Sequence, residues 1–565
     1  MTLDRRAMTA ALTPGDASHR RVLRLAVLLT GLIAAYGALA RYEVQQLGLD
    51  RPRGLSIYFR LFALHELPFQ LLLGAFVAAT LVLMARVARR HADETVFDGA
   101  PSPQLGSLVA VAIAVSVVGV ATTRWVMHDL LFSMDEFTVD FQARTFARGD
   151  VAAQVPWPWR SIGPAIAPMF VNFDINDGTW RSMYLPVYAA LKAPFVLVGA
   201  GGLLNPLLSG ASVLALGLAA RRLWPEERAR PWIAVALLAT SSQVIVTSGS
   251  GYTMPAHLLA NLLWLWLYLR GDRWSWALAL LVGGLALGLH NPFPHALFVA
   301  PFLVRLLRER RWARLTTGVL AYAAASAIWL TILQLARSNV EGKSETVLTL
   351  FAWPDVRTGL LHLMNLTLLF TWHAPVLGVL ALVVFLRLRR SAPVIVDLGL
   401  GVVLTLVFFS FFPSTQGHGW GYRYAFQVIG SLAIIAAAGV PAVSGALGAR
   451  RARAWLAGGL ALAVVVQLPL RLVQTERFVR PFAKGVAYVR SQPRAIVIVD
   501  AGRLWYGDDL IRNDPYLARP IVLRRDALAP AAIAEIERVF PGRVVRVSEE
   551  QLLRLGMTPV ASRRP

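Results

Sequence analysis

Apolar runs of nearly membrane-spanning length dominate the chain, separated by short arginine-rich or glycine- and proline-rich stretches. "LGSLVAVAIAVSVVGVATTRWVM" (105–127) carries no charge until Arg124, close to the ~20 residues that cross the hydrocarbon of a bilayer. Hydropathy and flanking charge predict spans at about 22–40, 67–86, 105–127, 193–220, 231–248, 254–270, 274–290, 294–308, 315–336, 373–389, 394–412, 425–445 and 454–470, about 13 in all. The runs do not alternate apolar with polar residues, which excludes a β-barrel. The expected fold class is therefore an all-α polytopic membrane protein. The pattern changes in the tail, where "AIVIVD" (495–500) reads as a buried strand, "PAAIAEIERVF" (530–540) as an amphipathic helix and "RVVRVS" (543–548) as a second strand. Two domains follow: a membrane domain over 1–470 with a large external loop at 128–192, and a small α/β extracytoplasmic domain over 471–565.

Composition agrees with this class. Of 565 residues, 56% are hydrophobic and 16% charged, and the mean hydropathy is +0.54. The net charge of +23 could suggest nucleic acid. Its distribution argues otherwise, because the arginines sit in clusters between apolar runs, such as "HRRVLR", "RVARR", "RLLRERRWAR" and "ARRAR". Strict alternation of the spans places these clusters on one side, the pattern of positive-inside topology. No nucleic-acid partner is expected. The N-terminus is then cytoplasmic and the tail extracytoplasmic. The first run ends in "ALA" (38–40), which resembles a signal-peptidase site, but its length favours an uncleaved anchor. Absence of cysteine excludes disulfides and thiol catalysis.

Candidate chemistry gathers on the external face, in 128–192, "SGSGYTMPAH", "HNPFPH", 337–372 and "FPSTQGHGWGYRY". In the first of these, "SMDEFTVDFQARTFARGD" places Asp135 and Glu136 where a span has just surfaced. Ser133 and Glu136 have capping-box spacing, and an acid in the first turn suits the helix dipole. Phe137, Phe141 and Phe146 recur near one side, predicting a helix that lies at the membrane interface and stops at Gly149. A carboxylate held beneath such a helix can also have its charge and proton affinity tuned for work on an acceptor hydroxyl. Both readings stand on these residues.

Arg423 in "HGWGYRY" re-enters the membrane, where a cation either snorkels among Trp420, Tyr422 and Tyr424 or meets an anion such as phosphate. Lys343 and Arg181 are further candidates for phosphate binding. His257, His290, His295 and His418 fall on external ends of spans. A divalent metal is chemically open to them, but no pair has tight ligand spacing, so no metal site and no cofactor are assigned. His257, His290, His418, Tyr422 and Tyr184 are expected to line the wall of a cavity on the external face.

These segments resemble the GT-C superfamily of polytopic glycosyltransferases, and more narrowly proteins similar to glycosyltransferase family 39, which includes protein O-mannosyltransferases and aminoarabinose transferases. In that family an Asp-Glu pair opens the first large external loop, and the Asp is the catalytic candidate. "FVNFDINDGTWRSMYLPVYAALKAPFVLVGAGGLLNPLLSG" is similar to the family's "dGrw…YPPG…LG…lvNPllG" region, "SGYTMPAHLLANLLWL" to its "SHP" segment, and "GHGWGYRYAFQVIGSLAIIAAAG" to its "GpRY…P…AA.G" stretch. The match runs in order over most of 115–445. Three departures stand out. The acidic pair follows the third expected span rather than the first, "YPPG" is "YLPV" (184–187), and the family's frequent Arg-Pro is Asn291-Pro292.

The resemblance implies a GT-C-like enzyme that transfers a sugar from a polyprenyl-phosphate donor to a glycan, lipid or protein acceptor, with inversion. Asp135 and Glu136 would be catalytic, and Arg423, Lys343 and Arg181 would hold the donor phosphate. Membrane lipids complete the partners. A lipid or solute transporter would instead need charges buried within spans and paired broken helices. A catalytically inactive GT-C-like scaffold is the third alternative.

Overall fold

The computed structural model describes residues 31, 66–87, 103–174, 176–337, 351–412, 416, 420–492, 496–517 and 520–559. The expected first span at 22–40 lies outside the described residues apart from Gly31. The protein is a multi-pass helical membrane protein capped by two small sheets. Six described helices are long and apolar enough to cross a bilayer, and up to eight if each of two bent pairs counts as one span. The six are Leu105–Val126, Gly201–Leu223, Trp312–Leu335, Pro393–Ser410, Arg423–Leu447 and Ala449–Arg490. The expected spans at 254–270, 274–290 and 294–308 are helices of 15 to 17 residues, Met254–Arg270, Arg273–Leu287 and Phe293–Arg308.

Several expected boundaries shift for local reasons. The run at 193–220 is not one helix: Val187–Leu197 stops before Gly199, which adopts φ +71°, and a new helix starts at Leu204. The run at 231–248 bends by 54° between Ala239 and Ser242, where Ser241 caps the second piece through its hydroxyl. The segment 337–372, read as an external loop, contains the helix Val356–Thr371, which meets Pro375–Phe385 at 111°. Close helix packing depends on small residues. A Cβ on Gly210 would lie 2.4 Å from the Ala112 carbonyl oxygen, so Leu204–Leu223 and Leu105–Ala121 approach backbone to backbone there.

The external loop contains an antiparallel sheet that the sequence did not suggest, β1 (Ala153–Gln154), β2 (Val171–Phe173) and β3 (Thr179–Ser182) in the order β1-β3-β2. The tail forms a parallel sheet of β4 (Ile496–Val499), β5 (Ile521–Arg524) and β6 (Val544–Val547) in the order β5-β4-β6, with the helix Pro530–Val539 crossing over. The strand β5 was not expected. The helix Leu468–Arg490 runs on through the expected domain boundary and delivers the chain to this module.

The helix Met134–Ala147 is enclosed by protein on both faces. Phe137 and Phe141 are buried in one core with Trp180 of β3, Ile496 and Ile498 of β4, and Leu523 of β5. Its aromatic face is consumed by protein rather than lipid. Its opposite face packs on Tyr188 and Ala189 of Val187–Leu197. There Asp140 takes an ion pair from buried Lys192 at 2.9 Å and another from Arg144 at 2.7 Å.

Candidate active site

The site is built from the turn that follows Leu105–Ala121. After one π turn, Thr122–Val126, both His128 and Asp129 adopt φ +54° and reverse the chain. Ser133 then caps the helix Met134–Ala147: its hydroxyl accepts from Glu136 N–H at 3.4 Å, and Glu136 Oε1 accepts from Ser133 N–H at 3.3 Å. The capping box is thus formed. Glu136 Oε2 also accepts from Gly251 N–H at 2.7 Å. A Cβ on Gly251 would lie 2.5 Å from a Leu131 methyl, so glycine is what admits this approach. Asn205 holds the same loop, donating to the carbonyls of Ser250 and Tyr252, each at 2.7 Å.

Glu136 is fully buried, and both of its oxygens are occupied by backbone donors. Burial pushes its carboxyl up, opposed by those backbone hydrogen bonds. The structure therefore corrects the expectation that Glu136 acts alongside Asp135 on a substrate, because its carboxylate has no free surface.

Asp135 points the other way. Its Oδ2 accepts from Arg423 Nη2 at 2.7 Å, and its Oδ1 accepts from the Tyr184 hydroxyl. The two ion-pair partners are 288 residues apart in sequence, and their side chains remain 24% and 12% exposed. Arg423 is itself held: Nη1 donates to Gln416 O at 2.6 Å, its backbone N–H to Gln416 Oε1 at 2.8 Å, and its guanidinium carbon sits 4.1 Å from the Tyr252 ring centre. Gln416 closes the turn by donating to Gly421 O at 3.0 Å, with Gly421 at φ +75°. The Arg423 Nε–H makes no hydrogen bond among the described residues.

His290 completes the cluster. Its ring centre lies 4.0 Å from that of Tyr184, tilted by 36°. Burial drives its imidazole down to about 4, Asp135 pulling it up and Arg423 pushing it further down, so it is neutral at physiological pH. Burial raises Asp135, but Arg423, His290 and the Tyr184 hydroxyl outweigh it, and the net carboxyl lies below its ordinary value. Burial and the Asp135 charge push the Tyr184 phenol well up. The cluster is then an ionised carboxylate, a guanidinium, a neutral imidazole and a neutral phenol. That set can orient a hydroxyl and hold an oxyanion.

Other expected residues fall elsewhere. His257 is buried beside this cluster, and neither ring nitrogen has a hydrogen bond among the described residues. Tyr422 is 2% exposed and belongs to the bundle core with Trp420, so packing has taken it from the cavity wall where the sequence placed it. Arg181 sits in β3 opposite Asn172 and makes no ion pair among the described residues. His295 is a core histidine, bonded to Asn261 and Tyr322. Lys343 and His418 lie outside the described residues. Among the described residues no group of three or more His, Asp or Glu could hold a metal ion. Sequence reasoning missed Tyr252 and Gln416, although both lie in the segments that drew attention, "SGSGY" and "STQGHGWGYRY".

No known protein-family profile matches the chain, and no curated protein matches it. Solved structures do. ArnT from Cupriavidus metallidurans in the apo state is similar over 78% of this chain and 89% of that one, at 15% identity and a TM-score of 0.50. The same protein bound to undecaprenyl phosphate aligns over 80% and 91%, at 16% identity and a TM-score of 0.49. The archaeal oligosaccharyltransferase AglB from Archaeoglobus fulgidus, in complex with an inhibitory peptide and a dolichol-phosphate, aligns over 75% and 64%, at 12% identity and a TM-score of 0.37. At such identities the likeness speaks to architecture, and on that ground this chain shares the fold of ArnT.

Proposed function

We propose that this protein is an integral membrane glycosyltransferase that moves a sugar from a polyprenyl-phosphate donor to a hydroxyl of an extracytoplasmic glycan, lipid or protein. The observation that carries the reading is the part-exposed Asp135–Arg423 pair, assembled from residues 288 apart in sequence in a bundle of ArnT-like fold. A pair meant only for stability gains little from partial exposure. A pair at an opening keeps a carboxylate and a guanidinium ready for a ligand.

In the proposed reaction the acceptor oxygen attacks the anomeric carbon and the bond from that carbon to the phosphate oxygen breaks. The electron pair leaves with the polyprenyl phosphate, and configuration inverts. Asp135 orients the acceptor hydroxyl and receives its proton as the bond forms. Arg423 stabilises the charge that develops on the leaving phosphate. Glu136 takes a positioning role, since it fixes the helix start from which Asp135 projects. On this topology the N-terminus is cytoplasmic, and the site and tail face the periplasm.

The test is Asp135→Asn in a membrane assay of sugar transfer from a lipid-linked donor. Transfer per folded molecule should fall about 100- to 10,000-fold, with some loss of thermal stability because Arg423 is left without its carboxylate partner. Wild-type transfer by the variant would refute the role given to Asp135.

A further inference from the structure

We propose that Arg512, in the C-terminal module, is a positioning residue for the Asp135 carboxylate, an inference that rests on the glycosyl-transfer reading above. Arg512 lies between β4 and β5 and is only 8% exposed. Its Nη1 donates to Leu131 O and its Nη2 to Phe132 O at 2.8 Å, while Nε donates to Asp509 O at 2.6 Å. Every nitrogen of the fork is used. Both gripped carbonyls belong to the two residues that precede Ser133, the helix cap, and therefore come just before Asp135.

Those carbonyls need an outside donor. The first helical hydrogen bond of this element runs from Phe137 N–H to Ser133 O. The ladder thus begins at Ser133, and nothing in the helix reaches Leu131 or Phe132. Buried peptide carbonyls are almost always paired. Arg512 supplies that partner from a part of the chain 380 residues away. Its guanidinium also lies 5.5 Å from the Phe137 ring centre and within electrostatic reach of Glu136. The acidic pair is thus held by two cations, Arg423 on Asp135 at the open side and Arg512 behind the helix start.

The module is anchored for this task. Asn513 Nδ2 donates to Ile166 O in the external loop at 2.7 Å and to Val522 O in β5 at 2.8 Å, and its Oδ1 accepts from Val522 N–H at 2.8 Å. Trp180 Nε1 of β3 donates to Pro515 O at 2.8 Å. Residues 511–517 are therefore a rigid insert between the sheet of the tail and the loop that carries Asp135. A planar two-pronged donor suits two adjacent carbonyls in a way an ammonium does not.

The experiment uses the full-length protein in lipid nanodiscs and three variants. Arg512→Met keeps bulk and removes all donors, Arg512→Lys keeps charge with one donor head, and Tyr516→Phe is the docking control. Tyr516 touches the same loop through Asp150 at 2.6 Å, away from the helix start. Two readouts are taken: amide hydrogen exchange over 133–140, and kcat and KM for transfer from a lipid-linked donor. Arg512→Met should raise exchange at least tenfold. It should lower kcat about 10- to 100-fold, the scale of an ångström-level misplacement, with KM for the donor within threefold. Arg512→Lys should fall between, and Tyr516→Phe should match wild type.

Unchanged exchange and kcat in Arg512→Met would overturn the proposal. So would an equal kcat loss in Tyr516→Phe, since that would reflect general docking. If the wild-type protein transfers no sugar from any lipid-linked donor, the glycosyl-transfer reading fails. The exchange readout then decides alone whether Arg512 holds the start of this helix, and unchanged exchange again overturns it.

Discussion

Replacing Glu136 with Gln changes one atom and separates two accounts of the acidic pair. The carboxylate accepts at Oε1 from Ser133 N–H and at Oε2 from Gly251 N–H, and the residue is fully buried. Both partners are donors, and a side-chain amide offers one acceptor and one donor. Whichever way Gln turns, one backbone N–H faces an NH₂ group. Leaving a buried donor unmet costs about 1–3 kcal/mol, and the surviving bond loses its charge assistance, about 1 kcal/mol more. The expected destabilisation is about 2–4 kcal/mol, which corresponds to roughly 2–3 °C in melting temperature for a protein of this size. Thermal unfolding of the detergent-solubilised protein measures it, with sugar transfer assayed on the fraction still folded. Transfer per folded molecule should drop less than in Asp135→Asn. A variant that melts with wild type and yet loses all transfer would refute the structural account and return Glu136 to the catalytic step.

Other outcomes follow from buried charge. Lys192→Met leaves Asp140 with only Arg144, whose side chain is 40% exposed. Thermal unfolding should show a loss of about 3–5 kcal/mol, and adding Asp140→Asn should recover most of it. Burial is the largest cause that holds the Asp509 carboxyl up, at about 7, with Arg512 opposing and Asp135, Asp508 and Glu136 reinforcing. Between its unfolded value of about 4 and about 7 the folded state binds the extra proton, so this group lowers stability as pH rises across that window and adds no further slope above it. Asp509→Asn should therefore melt roughly 2–5 °C higher than wild type at pH 8 and show little difference at pH 4. Equal shifts at both values would count against that assignment.

The sequence carried the class because membrane burial is written in composition. Runs such as 105–127 have one solvent available to them, and the helix is the fold of a single segment that satisfies its backbone there. It carried the Asp135 position because "SMDE" marks a helix start by spacing alone. It also marked Arg423 as a cation with an unusual location. It misplaced Tyr422, since an aromatic beside a glycine turn can face either the bundle core or the cavity, and hydropathy does not distinguish them. It read the Phe137 and Phe141 face as lipid-facing. An apolar stripe is equally satisfied by lipid or by the tail's β-sheet, and only the partner's position decides.

What the chain determined by itself is therefore local: which segments enter the membrane, where the helix of the external loop begins, and which side chains carry charge at a membrane boundary. What only the tertiary structure decided is pairing. Asp135 meets Arg423 across 288 residues and Glu136 meets Gly251 across 115. In the same way Arg512 reaches back 380 residues to Phe132. Helix propensity and hydropathy act over a few turns of chain, whereas these contacts arise from how the bundle closes, and closure is a property of all the helices packed together.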